Sequence, residues 1–236
     1  PDGSPVFSEV EFNLTGLCNR TCSFCPRVDP NLFPNINEHL KLSLYHKILI
    51  ELQGIDYGGR ISYSGFGEPL LHPQHLDLIR ATREALPNCW LDIVSNGDRV
   101  TAHKMTELFD AGLTTLLISM YDGEEQIEYF ENMIAEARLP EGPVILRKRY
   151  LPPEESYGIN VTNRAGMVTV KEVGVKVLTE PMKHPCYYTH YRMMIDYTGE
   201  VLLCPHDWGK RLIAGNLNQE HLVEIWTGPA LSSVRN

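Results

Sequence analysis

The sequence has 236 residues, 43% of them hydrophobic, which is enough for one α/β domain with a sizeable core. Its 30 acidic and 21 basic side chains give a formal net charge of −9, which argues against a broad surface for nucleic-acid phosphates. No apolar run approaches the roughly 20 residues of a membrane-spanning helix, and no signal peptide is evident. We therefore expect a cytoplasmic protein without nucleic-acid or membrane partners; its oligomeric state is not predicted.

Strand-like and helix-like segments alternate along most of the chain. The predicted strands are Phe7–Leu14, Arg60–Ser64, Trp90–Ser95, Thr115–Met120 and Val144–Lys148, with a further one near Val168–Val170. The predicted helices are Ser43–Leu52, Pro73–Ala85, Thr101–Ala111 and Glu124–Ala137. Strand–helix units that repeat over roughly 25–30 residues predict a parallel sheet with helical crossovers. About six such units fit an open, partial (β/α)6 barrel of the TIM type, because a complete barrel needs eight.

The pattern changes after about residue 150, where Pro152 and Pro153 begin a connector rich in helix breakers. Two alternating segments around Gly199 predict a β-hairpin, and Gln219–Trp226 predicts a short closing helix. The sequence therefore divides into a partial-barrel core at 1–150 with a cysteine loop at 18–25, the end of the barrel and a connector at 151–180, and a small C-terminal unit at 181–236.

Six cysteines dominate the chemistry that the sequence suggests: Cys18, Cys22, Cys25, Cys89, Cys186 and Cys204. Three of them lie within eight residues, which disfavours disulfides in a chain of this size. A tight triplet in the loop after a strand favours a metal or iron–sulfur site, because α/β barrels keep their sites at that edge. Three thiolates can hold three irons of a four-iron cluster and leave the fourth open.

A zinc site completed by His39 or His46 is the alternative reading of the triplet. Zinc sites usually take pairs of cysteines from two hairpins, and no second pair lies close by in the sequence. We interpret Cys89, at the start of a predicted strand, as a small core residue.

The spacing Cys18-x3-Cys22-x2-Cys25, with Phe24 just before the third cysteine, resembles the signature of the radical S-adenosylmethionine (SAM) superfamily. This resemblance implies a [4Fe–4S] cluster on the three cysteines. It also implies that SAM binds the open iron through its amino and carboxylate groups, with Phe24 beside the adenine.

Further segments resemble the SAM-binding motifs of that family. Gly67, Glu68 and Pro69 match the last three residues of the family's Gly-Gly-Glu-Pro turn, which holds the SAM amino group, and Phe66 replaces its first glycine. By the same resemblance, three polar side chains are candidates for the SAM ribose or carboxylate, with helix capping as the alternative: Ser95, Asn96 and Ser119.

The C-terminal unit resembles the SPASM appendage, or its shorter form called twitch. The resemblance implies an auxiliary iron–sulfur cluster held by Cys186 and Cys204, with two free thiols as the alternative. Related proteins complete this cluster with one or two cysteines beyond the closing helix, and this sequence reaches Asn236 without them. The remaining ligands stay open: residues past that point, an incomplete cluster, or a histidine such as His184 or His206.

The resemblance extends to family members that oxidise an alcohol of an aminocyclitol. It implies reductive cleavage of SAM to a 5′-deoxyadenosyl radical and hydrogen abstraction from a polyol, sugar or aminocyclitol-like substrate. Dehydrogenation assisted by the auxiliary cluster would follow, with a flavodoxin- or ferredoxin-type electron donor. By the same resemblance, which includes Asn163-Arg164, Arg164 is the candidate substrate contact, and its guanidinium would donate in a fixed fork; a surface arginine is the alternative.

Other outcomes remain open. An epimerase would need a free thiol such as Cys204 or Cys89 to return a hydrogen atom. A peptide- or protein-modifying enzyme is disfavoured, because the short segment before Cys18 leaves no room for a leader-binding unit. A non-catalytic iron–sulfur or zinc module is the most distant alternative.

Residues around the predicted site are candidates for contacting the substrate. Those expected to line the barrel mouth are Arg27, His72, Tyr121, Arg147, Arg149 and Arg164, and a predominance of arginine there would suggest a carboxylate or phosphate. Those that flank the auxiliary cysteines and are candidate bases are Tyr187, Tyr188, His190 and His206.

Overall fold

A computed structural model describes residues 7–150, 180 and 183–235 of the chain. The strands are β1 (Glu9–Phe12), β2 (Arg60–Tyr63), β3 (Trp90–Ser95), β4 (Thr115–Met120), β5 (Val144–Lys148), β6 (Arg192–Ile195), β7 (Glu200–Leu202) and β8 (Ile213–Asn216). The α-helices are α1 (Leu42–Gly54), α2 (His75–Ala85), α3 (Ala102–Asp110), α4 (Glu125–Ala137), α5 (Tyr188–Tyr191), α6 (Leu222–Thr227) and α7 (Pro229–Arg235).

All eight strands of the described residues form one sheet in the order β5-β4-β3-β2-β1-β6-β7-β8. Strands β1 to β5 are parallel, and a helix connects each of them to the next. This arrangement confirms the predicted α/β class, and the five strands and four helices of the core lie within a few residues of their predicted positions. The strand predicted near Val168–Val170 lies outside the described residues.

The predicted C-terminal hairpin is present and extends the main sheet. Strand β6 pairs in parallel with β1, with Glu9 opposite Arg192, and β7 pairs antiparallel with β6. The turn between them uses Gly199 at φ +88°, a conformation that side chains with a Cβ rarely adopt. Helix α6 matches the predicted closing helix, whereas α5, β8 and α7 were not predicted.

The two faces of the sheet differ sharply in chemistry. Val10 and Phe12 of β1 are fully buried in the apolar core beneath helices α1 to α4, together with the matching residues of β2, β3 and β4. Side chains alternate along a strand, so Glu9 and Glu11 project from the opposite face. Parallel strands covered on both faces are usually apolar throughout. The charged face therefore indicates a ligand cavity in place of a second packed layer.

Local signals set the ends of the helices. In α3, the Thr101 hydroxyl accepts a hydrogen bond from the Lys104 N–H at 3.0 Å, and Gly112 follows the helix at φ +109°. Helices α1 and α4 are the longest of the described residues, with 13 residues each. None of the helices in that part of the chain has the length and apolar character that a membrane crossing requires.

Candidate functional site

A cavity of about 380 Å³ opens at the carboxyl edge of the parallel strands and extends over the charged face of the sheet. The predicted site residues that line it are Cys18, Cys22, Phe24, Cys25, Gly67, Glu68, Ser95, Asn96 and Ser119. Pro69 begins a short 3₁₀ turn directly behind Glu68. Arg164 lies outside the described residues. The topology therefore brings four separate loops and strand ends to one site.

The three thiols of the cysteine loop lie close enough to influence one another. Burial, followed by the neighbouring Cys25 and Cys18, raises the pKa of Cys22 to about 11. Burial also raises the pKa of Cys18, whose Sγ accepts hydrogen bonds from the Arg20 N–H at 3.5 Å and from Asn96 Nδ2 at 3.9 Å. Three such thiols around one cavity fit the ligand set of a [4Fe–4S] cluster that leaves one iron open.

The same thiols do not fit a single zinc ion. Among the described residues, no group of three or more His, Cys, Asp or Glu side chains is arranged to hold one metal ion. His39, a proposed fourth zinc ligand, instead has its Nε2 atom 3.0 Å from the side-chain oxygen of Asn37. An iron–sulfur cluster places each thiolate on a different iron, so its cysteines need not converge on one point.

Glu68 is a buried carboxylate, 2% exposed, that three donors hold in place. Ser95 Oγ donates to its Oε1 at 2.8 Å, the Asn96 N–H donates to Oε2 at 2.8 Å, and the Leu70 N–H donates to Oε1 at 3.2 Å. Burial raises the pKa of Glu68 to about 7, although these donors oppose the rise. Ser95 and Asn96 therefore act on Glu68, a contact that the sequence did not predict.

The turn that carries Glu68 is docked on the chain leading to the cysteine loop. A Cβ on Gly67 would lie 2.2 Å from the Thr15 carbonyl oxygen, so only glycine permits this approach. The Glu68 N–H donates to the Leu17 carbonyl at 2.8 Å. The side-chain oxygen of Asn13 accepts from the Gly67 N–H at 2.9 Å. Asn13, which sequence reasoning missed, thus joins the end of β1 to this turn.

Phe66, which replaces the family's first glycine, belongs to a small aromatic cluster. Its ring centroid lies 4.4 Å from that of Trp208 and 5.1 Å from that of Phe33. Phe66 and Trp208 also line the cavity. This packing gives a physical reason for the replacement, because the ring bridges the SAM-motif turn to the segment after β7.

Two further predicted positions face the cavity from the strand ends. The Phe24 ring lies 5.1 Å from the ring of Tyr121, so an aromatic pair forms one wall. The Ser119 hydroxyl is buried and has no hydrogen-bond partner among the described residues. A buried hydroxyl without a partner is costly, which makes this atom available to a ligand.

The auxiliary cysteines lie next to the cavity but do not line it. Cys186 is exposed and Cys204 is half-buried, and the Cys204 Sγ accepts a hydrogen bond from the His206 N–H at 3.3 Å. Burial raises the pKa of Cys204, and the charge of Cys186 adds to the rise. They fit two ligands of an auxiliary cluster. Cys89 is a buried core residue, 3% exposed, as we predicted.

A network of charged side chains contributes to another part of the cavity wall. Arg192 donates to Glu9 and to Glu11, both at 2.8 Å, and Arg60 pairs with Asp92 at 2.5 Å. Sequence reasoning missed this network, although the alternation of Glu9 and Glu11 with apolar residues in β1 is a signal for it. The wall offers both donors and acceptors to a polar ligand.

The residues expected at the barrel mouth divide into three groups. Those that line the cavity are Arg27, Tyr121, Arg147 and Arg149. His72 does not line it, because its Nε2 bonds to the Leu40 carbonyl at 2.9 Å and burial lowers its pKa to about 4. The remaining position, Arg164, is not described. Arg27 is structural in part, since it donates to the Gly16 carbonyl at 2.8 Å.

Known proteins resemble the chain over nearly its full length. The S-adenosyl-L-methionine-dependent 2-deoxy-scyllo-inosamine dehydrogenase of Niallia circulans is 25% identical over 233 residues, covering 98% of this chain and 86% of that protein. The crystal structure of BtrN in complex with AdoMet and 2-DOIA has a TM-score of 0.77 at 23% identity, covering 98% of this chain and 86% of that one. SuiB of Streptococcus suis bound to precursor peptide SuiA has a TM-score of 0.60 at 13% identity, with 98% and 67% covered.

Family models match both parts of the chain. The C-terminal residues 186–236 match the SPASM iron–sulfur cluster-binding domain, which implies an auxiliary cluster beside Cys186 and Cys204. Residues 12–138, more than half of the chain, match the radical SAM superfamily. The match includes the three thiols and the Glu68 turn, and it implies a [4Fe–4S] cluster and SAM. The chain is therefore an enzyme that belongs to the radical SAM superfamily.

Proposed function

We propose that the chain dehydrogenates an alcohol carbon of a small polar substrate such as a polyol, sugar or aminocyclitol. The single observation that carries this proposal is the cavity, which joins the three-thiol loop to a wall of hydrogen-bonding side chains. A wall rich in carboxylates and guanidiniums suits a hydroxyl-rich molecule. The similarity to a 2-deoxy-scyllo-inosamine dehydrogenase, which spans 98% of this chain, supports the same substrate class.

Several residues would hold the cofactors. Cys18, Cys22 and Cys25 would ligate the [4Fe–4S] cluster, and Cys186 and Cys204 would contribute to the auxiliary one. When bound, the first cluster with SAM supplies a 5′-deoxyadenosyl radical for hydrogen abstraction, and the auxiliary cluster supplies an acceptor for the second electron.

The protein would position SAM from both ends. Glu68 would bind the SAM amino group, and Gly67 and Pro69 would shape the turn that presents it. Phe24 would lie beside the adenine, and the unpartnered Ser119 hydroxyl would donate to the ribose or carboxylate. Ser95 and Asn96 support the same binding, because they hold the Glu68 carboxylate.

Oxidation of an alcohol also requires a group that accepts the hydroxyl proton. Of the four candidates beside the auxiliary cysteines, Tyr188 lines the cavity. Its ring lies 4.9 Å from the Arg192 guanidinium carbon, in a cation–π arrangement. We therefore favour Tyr188 among the four candidate bases. Arg164 stays a proposed substrate contact.

Three broader features belong to the same proposal. The electron donor would be a flavodoxin or ferredoxin, because the cluster must receive single electrons. A cytoplasmic location suits thiols that must stay reduced. The division into a core at 1–150, a connector at 151–180 and a cluster-binding unit at 181–236 also remains a proposal.

The test is an anaerobic reconstitution with iron and sulfide, followed by dithionite, SAM and 2-deoxy-scyllo-inosamine or a related polyol. We expect close to eight irons per chain for two four-iron clusters, and 5′-deoxyadenosine together with an equal amount of ketone. Nucleoside without ketone for any polyol or aminocyclitol would contradict dehydrogenation. Bound zinc without iron uptake would contradict the radical chemistry itself.

Epimerisation is the alternative outcome of the same hydrogen abstraction, and it needs a thiol that returns a hydrogen atom. Within the described residues, the cysteines that line the cavity are the three proposed cluster ligands. Cys89 is buried in the apolar core, and Cys204 does not line the cavity. This placement favours oxidation over epimerisation.

A further inference from the structure

The charges on β1, β2, β3 and β6 largely neutralise one another. Arg192 is shared by Glu9 and Glu11, and Arg60 is held by Asp92 through two hydrogen bonds of 2.5 and 3.1 Å. Such bidentate and shared pairs satisfy the donors of both guanidiniums in large part. Each of these arginines therefore has a carboxylate partner before any substrate enters, although the Arg192 Nε atom has no hydrogen-bond partner among the described residues.

Arg147 on β5 is different. Its half-buried side chain lines the same cavity, and it has no hydrogen bond or ion pair among the described residues. The carboxylate whose charge it feels, Asp92, already accepts from Arg60 and from Ser62 at 2.8 Å. Burial lowers the pKa of the Arg147 guanidinium and the charge of Arg60 adds to this effect, whereas Tyr121 and Asp92 oppose it only in part. A half-buried cation in this state gains free energy from an anionic partner.

A second arginine and a buried hydroxyl lie close to Arg147. Arg147 pairs with Ser119 of β4 in the sheet register, and paired parallel strands lie about 4.8 Å apart. Arg149, directly after the last residue of β5, also lines the cavity. The β5 wall therefore presents two guanidiniums, next to the buried hydroxyl of Ser119.

We propose that Arg147 binds an anionic group, a carboxylate or a phosphate, on the substrate. This inference rests on the proposed function and narrows it to a polyhydroxylated substrate that carries negative charge. A guanidinium matches both groups through two parallel hydrogen bonds and stays charged at all relevant pH values. SAM itself carries a carboxylate, so a test must separate that group from one on the substrate.

The experiment measures binding without turnover. The reconstituted holoenzyme is kept oxidised, so that SAM is not cleaved, and equilibrium dialysis gives dissociation constants for glucose, glucose 6-phosphate, glucuronate and inorganic phosphate. We expect at least one of the anionic sugars to bind about tenfold more tightly than glucose, which is the usual effect of one charge-assisted contact. Tighter binding of glucose 6-phosphate would identify the anionic group as a phosphate, and tighter binding of glucuronate would identify it as a carboxylate.

Variants assign the effect to one residue. Arg147→Gln should reduce the affinity for the anionic sugar to that for glucose, Arg147→Lys should retain part of it, and the affinity for SAM should stay unchanged. Arg80→Gln is the matched control, because Arg80 is an exposed arginine on α2 and should alter neither constant. Iron content and circular dichroism confirm that each variant retains the folded holoenzyme.

Two results would overturn the inference. Equal binding of glucose and the anionic sugars by the wild type, including no binding of any of them, would show that the wall does not select charge. Weaker SAM binding in Arg147→Gln, with anion binding unchanged, would assign Arg147 to the SAM carboxylate. Neither result depends on turnover. The proposed dehydrogenation is tested separately, by ketone formation.

Discussion

Arg20 and Asp98 form a bidentate ion pair that ties the cysteine loop to the loop after β3. The Arg20 Nε atom donates to Asp98 Oδ2 at 2.8 Å, and Nη2 donates to Oδ1 at 2.5 Å. The same guanidinium donates to both carboxylate oxygens of Asp122, after β4, at 2.8 and 2.7 Å. Arg20 lies between Cys18 and Cys22, so this pairing fixes the thiol loop relative to two neighbouring strand ends.

Removing this guanidinium should loosen the cysteine loop. We expect Arg20→Gln to weaken SAM binding by about tenfold, because the loop loses its charge-assisted hydrogen bonds on both sides. Calorimetric titration of the oxidised holoenzyme with SAM measures the effect. Arg99→Gln is the control, since Arg99 is exposed and adjacent to Asp98. Equal SAM affinities for the two variants would contradict a positioning role for Arg20.

The approach of Gly67 to the Thr15 carbonyl gives a second prediction. Gly67→Ala would place a Cβ 2.2 Å from that oxygen, so the turn must move away from the strand. We expect the free energy of unfolding to fall by about 1–3 kcal/mol, as for an overpacked core, with a strong loss of SAM binding. Urea unfolding and SAM titration measure the two effects.

Gly58 provides the comparison for this substitution. A Cβ at Gly58 would meet nothing within 4 Å, and Gly58→Ala should therefore leave both quantities nearly unchanged. If Gly67→Ala binds SAM as well as Gly58→Ala does, the close approach of the turn is not required for the site.

The parts of the structure that the sequence predicts are the local ones. Strand and helix periodicity predicts the core elements, because each depends on residues within one or two turns. The cysteine spacing and the Gly67-Glu68-Pro69 turn are contiguous in sequence, so they indicate the site even without a fold. Their placement in one cavity agrees with their common position after parallel strands.

The features that the sequence did not predict depend on pairs far apart in the chain. Arg192 and Glu9 are 183 residues apart and meet only because β6 pairs with β1. The side chain of Asn13 likewise donates to Asp196 at 2.5 Å across 183 residues. Strand order and register decide such contacts, and a single sequence specifies neither. The charged wall and the place of the Arg147 guanidinium in it therefore emerge only from the structure.

Mutation of one auxiliary cysteine should remove the auxiliary cluster and leave the SAM-binding cluster in place. We expect Cys204→Ala to lose about half of the iron of the loaded wild type while still forming 5′-deoxyadenosine, because the loss affects only the auxiliary cluster. Ketone formation should fall to the background level. Iron analysis and chromatography of the nucleoside and the product check this prediction.

Cys89→Ala is the control for the loss of a thiol, because Cys89 is buried in the apolar core away from the cavity. This variant should keep all of its iron and its activity, with a small loss of stability from the truncated side chain. A full iron content in Cys204→Ala would show that Cys204 is not a cluster ligand.

The ionisation of Glu68 should appear in the pH dependence of SAM binding. Burial raises its pKa from 4.5 to about 7, so the free protein carries a largely neutral carboxyl at pH 6 and a carboxylate at pH 8. If the carboxylate binds the SAM amino group, its contribution to affinity is absent at low pH and appears as the pH rises through 7. The ionised fraction rises from about 0.1 to about 0.9 over this interval.

The comparison with Glu68→Gln isolates this effect, because the titration of SAM itself is common to both proteins. We expect the ratio of wild-type to variant affinity to increase by about tenfold between pH 6 and pH 8, following the ionised fraction. Calorimetric titration of the oxidised holoenzymes at several pH values measures the ratio. A ratio that stays constant over this range would mean either that Glu68 is already ionised at pH 6 or that its charge does not contribute to SAM binding.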